Sequence, residues 1–98
     1  MITIIAGFTV RRQDKAKLVE AARELIALSR KEPGNVSYAL YEQTDDPYRM
    51  SFIEGWQDQA AVDRHVASEH FNRICAQMSN YMEAGMTITQ YRENEAGL

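Results

Sequence analysis

The apolar positions of this chain change their spacing from one segment to the next, and the changes mark out its elements. Residues 2–10 carry Ile2, Ile4, Ile5, Phe8 and Val10, a β-branched and aromatic mix that predicts a strand. Asp14 is placed to cap a helix by accepting backbone N–H bonds. Beyond it the spacing lengthens: Leu18, Val19, Ala22, Leu25 and Ile26 recur at helical intervals, with Lys17, Glu20, Arg23 and Glu24 between them. The pattern is that of an amphipathic helix. Pro33 disfavours helical geometry at Glu32 and Gly34 supplies a turn, so the helix ends there. Residues 35–44 and 48–56 read as two strands, and Asp45-Asp46-Pro47 between them is turn chemistry, which predicts a hairpin. Asp58 caps a short helix through about Ala67. Ser68 caps a second, with Phe71, Ile74, Cys75, Met78, Tyr81 and Met82 on one stripe and Gly85 as its stop. Met86 to Arg92 completes the set as a last strand.

Strand, helix, strand, strand, helix pair, strand is the order of a split βαβ unit. It predicts an α+β, ferredoxin-like domain over residues 1–92, with a four-stranded antiparallel sheet, helices on one face, and a fraying tail over residues 93–98. The second hairpin strand sends Met50, Phe52, Glu54 and Trp56 one way and Ser51, Ile53 and Gly55 the other. Both sheet faces thus carry large apolar side chains. The helices cover one; a second copy related by a two-fold axis is the expected cover for the other, a dimeric α/β barrel.

Composition narrows the picture further. At 98 residues the chain is one domain, with 45% hydrophobic and 26% charged residues, too apolar for disorder. A net charge of −3 with scattered Lys and Arg leaves no basic stripe for nucleic acid. No apolar run approaches the roughly 20 residues of a membrane span. The opening residues show no basic segment or cleavage site, so a cytoplasmic location is expected. One cysteine, Cys75, excludes an internal disulfide and a cysteine-based metal cluster.

The chemistry rests on few residues. His65 lies in the short helix: it is either a partly buried imidazole satisfied by a neighbour or a base working near neutral pH. His70, in the first turn of the next helix, is five residues on, across a helix break. No His-Glu-x-x-His pattern is present, and no metal is expected. Glu54, between Phe52 and Trp56 on one strand face, must be paired or hydrogen-bonded, or else its pKa rises. Arg49 and Arg92 are the candidate partners for a structural pair. Tyr38 shares parity with Leu40 on the neighbouring strand and places a phenol near Glu54 and Trp56. The glycines form no nucleotide-binding pattern, and no serine sits in a nucleophile elbow. Cys75 on the helix stripe reads as buried and inert.

Several of these segments together resemble one family. Lys31-Glu32-Pro33-Gly34-Asn35 leading to Tyr38, then Asp46-Pro47-Tyr48-Arg49, Phe52-Ile53-Glu54-Gly55-Trp56-Gln57-Asp58, His65, and Ser68-Glu69-His70-Phe71 are similar to the antibiotic biosynthesis monooxygenase domain. The resemblance spans about residues 1–92. It implies a dimeric ferredoxin-like fold with a pocket between sheet and helices. Members of this family act as cofactor-free quinol or anthrone monooxygenases, as isomerases or as haem-degrading enzymes. The haem-degrading branch would place Asn, Trp and His where this chain has Gly7, His65 and Cys75, which argues against haem. The resemblance therefore implies a monooxygenase without a cofactor, acting with molecular oxygen on a small phenolic, quinol or polyketide-like substrate. His65 is the candidate base and Glu54 its orienting partner. Tyr38, Trp56 and Phe71 line the pocket and His70 stands at its mouth. A small-molecule isomerase of the same fold and a non-catalytic dimeric ligand-binding or stress-associated module are the alternatives.

Overall fold

The computed structural model describes residues 1–98. Its elements are β1 (Ile2–Thr9), α1 (Lys15–Ser29), β2 (Asn35–Glu42), β3 (Arg49–Trp56), α2 (Gln59–Ala67), α3 (Glu69–Ser79) and β4 (Thr87–Arg92). The strands form one antiparallel sheet in the order β2-β3-β1-β4. The two βα units interleave, so β1 lies centrally between β3 and β4, and the expected split βαβ topology is realised.

Pleat parity sorts the side chains. Register sets Tyr38 opposite Glu54, and Glu54 opposite Ile4 on its other side. Ile4, Ala6, Phe8, Tyr38, Phe52 and Trp56 are buried on the helix-facing side, against Leu18, Ala22 and Leu25 of α1 and Ile74 and Met78 of α3. Phe52 is the hub: its ring lies 5.9 Å from that of Phe8 and 5.8 Å from that of Tyr38. Burying such a side chain is worth about 2–3 kcal/mol.

The caps decide where the helices begin. Asp58 accepts from the Ala61 N–H at 2.9 Å and Ser68 Oγ from the Phe71 N–H at 3.2 Å, as the sequence leads one to expect. Asp14 differs. Its side chain makes no capping bond, because a 3₁₀ turn at Arg12–Asp14 leads directly into α1. The end of α3 also differs. The helix stops at Ser79, well short of Gly85, because the chain turns back toward β1 there. The Arg11 guanidinium donates to the Asn80 carbonyl at 2.6 Å, and Met82 bridges to Val10.

The opposite sheet face is bare in the single chain. Val36, Tyr41, Ile53 and Tyr91 are exposed on it, with Gly7, Gly55 and small hydroxyl residues between them. Every residue of β4 is exposed. No helix is long and apolar enough to cross a membrane.

Candidate active site

The turn after α1 carries the residue that organises the site. Gly34 has φ +87°, and a Cβ there would sit 2.6 Å from the Ala61 Cβ on α2. Only glycine meets both demands. The close approach is locked by the Gln57 N–H donating to the Gly34 carbonyl at 2.8 Å. Glu32, two residues earlier, is thereby brought onto the end of α2 that bears His65, one helical turn beyond Ala61. Glu32 Oε2 lies 2.6 Å from His65 Nδ1 and 3.0 Å from His70 Nε2. The side chains are 1% exposed for His65, 12% for Glu32 and 19% for His70.

A carboxylate only accepts, so each imidazole donates to it. His65 therefore holds its proton on Nδ1, and its Nε2 keeps a free lone pair. That nitrogen lies 3.4 Å from the Tyr38 hydroxyl. The ring is held by packing as well: Trp56 and Phe71 lie 4.6 Å and 4.8 Å from it, centroid to centroid. Burial lowers the His65 pKa, and the hydrogen bond to Glu32 works against that shift.

Glu54 is buried and accepts from the Trp56 indole N–H at 3.0 Å. Neither arginine considered from the sequence pairs with it. Arg49 points to the opposite sheet face, beside Gly7 and Thr9, and Arg92 ends the exposed β4. Burial consequently pushes Glu54 up to about 7, against the opposing hydrogen bonds from Trp56 and Tyr38. The Tyr38 phenol is pushed far up by burial and by the neighbouring Glu54, so it stays protonated. Burial also pushes the Cys75 thiol up to about 11.

Tyr38, Glu54, His65, Phe71 and Cys75 share one cavity of about 50 Å³, completed by apolar residues including Phe52, Val66, Met86 and Ile88. Ligand pockets usually span roughly 300–1,000 Å³, so an aromatic ligand must displace part of this wall. The rim offers the means, because Ile88 and Val66 are 60% and 45% exposed. Trp56 and His70 do not line this cavity. Trp56 lies behind it, holding Glu54 and the His65 ring, and His70 sits on the Glu32 side. A larger groove of about 530 Å³ runs between α1 and β2, but its charged residues, Arg23, Arg30 and Glu42, form no acid–base pair with one another.

The sequence points to Glu54 as the orienting carboxylate; the geometry instead gives His65 Nδ1 to Glu32. Glu32 went unmarked as a functional residue because it lies 33 positions from His65 and looks like the solvated end of a helix. The available signal was the Glu-Pro-Gly turn itself, which fixes a carboxylate beside a glycine able to press against a helix.

Comparison with known proteins agrees with this architecture. The profile of the family described as antibiotic biosynthesis monooxygenase matches residues 1–77. A Bacillus subtilis (strain 168) protein named "Putative monooxygenase YcnE" is 26% identical over 95 residues, covering 97% of this chain and all of its own length. A solved structure of a conserved protein from Methanosarcina mazei Go1 superposes with a TM-score of 0.93 at 26% identity, covering 95% of this chain and 92% of its own. PA3566 from Pseudomonas aeruginosa is 34% identical, with a TM-score of 0.81, 93% of this chain covered and 92% of its own. With its topology, its enclosed His65 cavity and a profile match over most of its length, this chain belongs to the antibiotic biosynthesis monooxygenase family.

Proposed function

We propose that the protein is a cofactor-independent monooxygenase that oxidises a small, electron-rich phenol, quinol or polyketide-like substrate with molecular oxygen. The observation that carries this reading is the Glu32–His65 pair, with the free Nε2 of His65 turned toward Tyr38 in an apolar cavity. Such a pair fixes the tautomer and orientation of a general base. His65 takes the proton from the substrate hydroxyl. The anion, held away from water, gives an electron to oxygen, the two radicals join as a peroxide anion, and the proton held by His65 converts it to a hydroperoxide. Loss of water then leaves a carbonyl. A phenol with a free para position consumes one O₂ and yields a quinone and one water, so the substrate supplies all the electrons. Glu54, with its pKa pushed up to about 7, is suited to protonate the departing hydroxide and to take up the ring C–H proton released as the carbonyl forms. Tyr38 and Phe71 position the ring.

Two copies complete the fold in this reading. The exposed Val36, Tyr41, Ile53 and Tyr91 on the open sheet face support a homodimer.

The test is oxygen uptake over a panel of hydroquinones, phenols and anthrone-like compounds, followed with ¹⁸O₂. One labelled oxygen atom per product, with stoichiometric O₂ consumption that falls in His65→Ala, is the expected result. Turnover of a panel compound under argon would replace this reading by proton transfer, as in an isomerase. Melting shifts with ligands but no turnover in either atmosphere would leave a binding module.

A further inference from the structure

The three groups that hold the base together are also a set of metal ligands. One ligand atom from each of Glu32, His65 and His70 lies within 4.8 Å of the other two, and Glu32 Oε2 faces His65 Nδ1 and His70 Nε2. None comes from a fluctuating surface: His65 is buried, and the other two are partly buried. Each is set by its own device. Gly34 presses the Glu32 turn onto α2, the Asp58 cap fixes the helix bearing His65, and the Ser68 cap fixes the first turn bearing His70. Two imidazoles and one carboxylate suit a borderline divalent transition ion rather than magnesium or calcium. Around zinc, ligand atoms at about 2.0–2.2 Å stand roughly 3.4 Å from each other in a tetrahedron. The pairs to Glu32 are at 2.6 Å and 3.0 Å, each within about 1 Å of that spacing. His70 and Glu32 are the partly exposed members, which leaves the fourth position open to water. Ser68 Oγ, 3.4 Å from His70 Nε2, flanks it.

We infer that Glu32, His65 and His70 form an exchangeable three-ligand site for a divalent transition ion such as zinc, and that filling it switches His65 from base to donor. The second half follows from tautomer chemistry. Without an ion, the His65 proton is on Nδ1 and Nε2 is the base. An ion on Nδ1 requires a lone pair there, so the ring keeps its single proton on Nε2 instead. An ion on His70 Nε2 likewise requires a lone pair there, so that ring carries its proton on Nδ1. The nitrogen facing Tyr38 then carries a proton where it had a free lone pair. The binding stands on geometry alone; the loss of the base on filling the site rests on the proposed role of His65.

The experiment titrates the protein with zinc chloride by calorimetry, with cobalt(II) as a visible-band probe and magnesium as a comparator. Long-range ¹H–¹⁵N spectra of the histidine rings are recorded in parallel. One zinc per chain is expected, with tetrahedral cobalt bands, no magnesium binding, and a switch of the protonated His65 nitrogen from Nδ1 to Nε2. Glu32→Gln and His70→Ala, with folding checked by circular dichroism, should each weaken zinc at least tenfold, whereas Cys75→Ser should not. Absence of zinc binding up to millimolar concentration overturns the site. So does binding that persists unchanged in both ligand variants, or bound zinc that leaves the proton on Nδ1. If the site binds zinc as described but no panel compound consumes oxygen, the metal site stands and the oxygenase reading falls.

Discussion

Glu54→Gln is expected to make the protein more stable at pH 8 and to leave its stability unchanged at pH 4.5. In the unfolded chain the carboxyl titrates near 4.5; in the folded protein burial moves it up to about 7. Between these values the folded state holds a proton that the unfolded state has lost. Stability therefore falls as pH rises through that window, and the whole cost is present above it. The distance between 4.5 and about 7 corresponds to roughly 3 kcal/mol. Local relaxation at a cavity wall reduces this, so a gain of about 1–3 kcal/mol at pH 8 is expected for the variant. Glutamine is the right probe because its carbonyl still accepts from Trp56 Nε1, now 3.0 Å from the carboxylate, while it never ionises. The assay is urea denaturation of both proteins at one fixed concentration, from pH 4.5 to 8.5. A stability difference that is flat with pH would refute the argument. A variant less stable than the parent at pH 8 would refute it more directly, since that is the mark of a buried cationic partner for Glu54.

Three other outcomes are expected. His65→Ala should lower turnover by roughly 10²–10⁴ while keeping the circular dichroism spectrum, and Glu32→Gln should lower it by a similar order because the tautomer is no longer held; full activity in either removes the Glu32–His65 pair from the mechanism. Gly34→Ala, which combines a left-handed backbone with a 2.6 Å approach to Ala61, should cost about 1–3 kcal/mol in urea denaturation and lower activity as well, by pulling Glu32 off α2. Light scattering at micromolar concentration should give twice the mass of one chain, and Ile53→Arg on the open sheet face should reduce it to one; a parent protein that is already monomeric would sink the two-faced-sheet argument.

The fold was legible because it is written in local periods. Alternation in β3 put Met50, Phe52, Glu54 and Trp56 on one face, and all four are buried there. Asp58 and Ser68 announced α2 and α3 through short-range capping chemistry that needs no knowledge of the rest of the chain. Where prediction failed, a distant contact had intervened. The pull of Arg11 and Val10 on Asn80 and Met82 ended α3 before Gly85, and no pattern within 79–85 encodes that.

The site divides along the same line. Tyr38, Glu54 and Trp56 could be placed together because strand pairing carries parity from β2 to β3. Of the two assignments of His65, the structure shows the satisfied helix residue, since Glu32 accepts from Nδ1; the same bond leaves Nε2 free, which is what the proposed base requires. Which carboxylate would do this was not a matter of parity or helical period. Parity favours Glu54 because it shares a sheet face with the pocket, but its carboxylate is bonded to Trp56 and does not reach Nδ1. Glu32 reaches it from outside the cavity lining, carried there by a turn whose geometry depends on one glycine. A base in a pocket must be oriented from behind, so that the nitrogen facing the substrate stays free. The orienting carboxylate therefore belongs on an element outside the cavity, where the pattern of pocket-facing residues cannot reveal it.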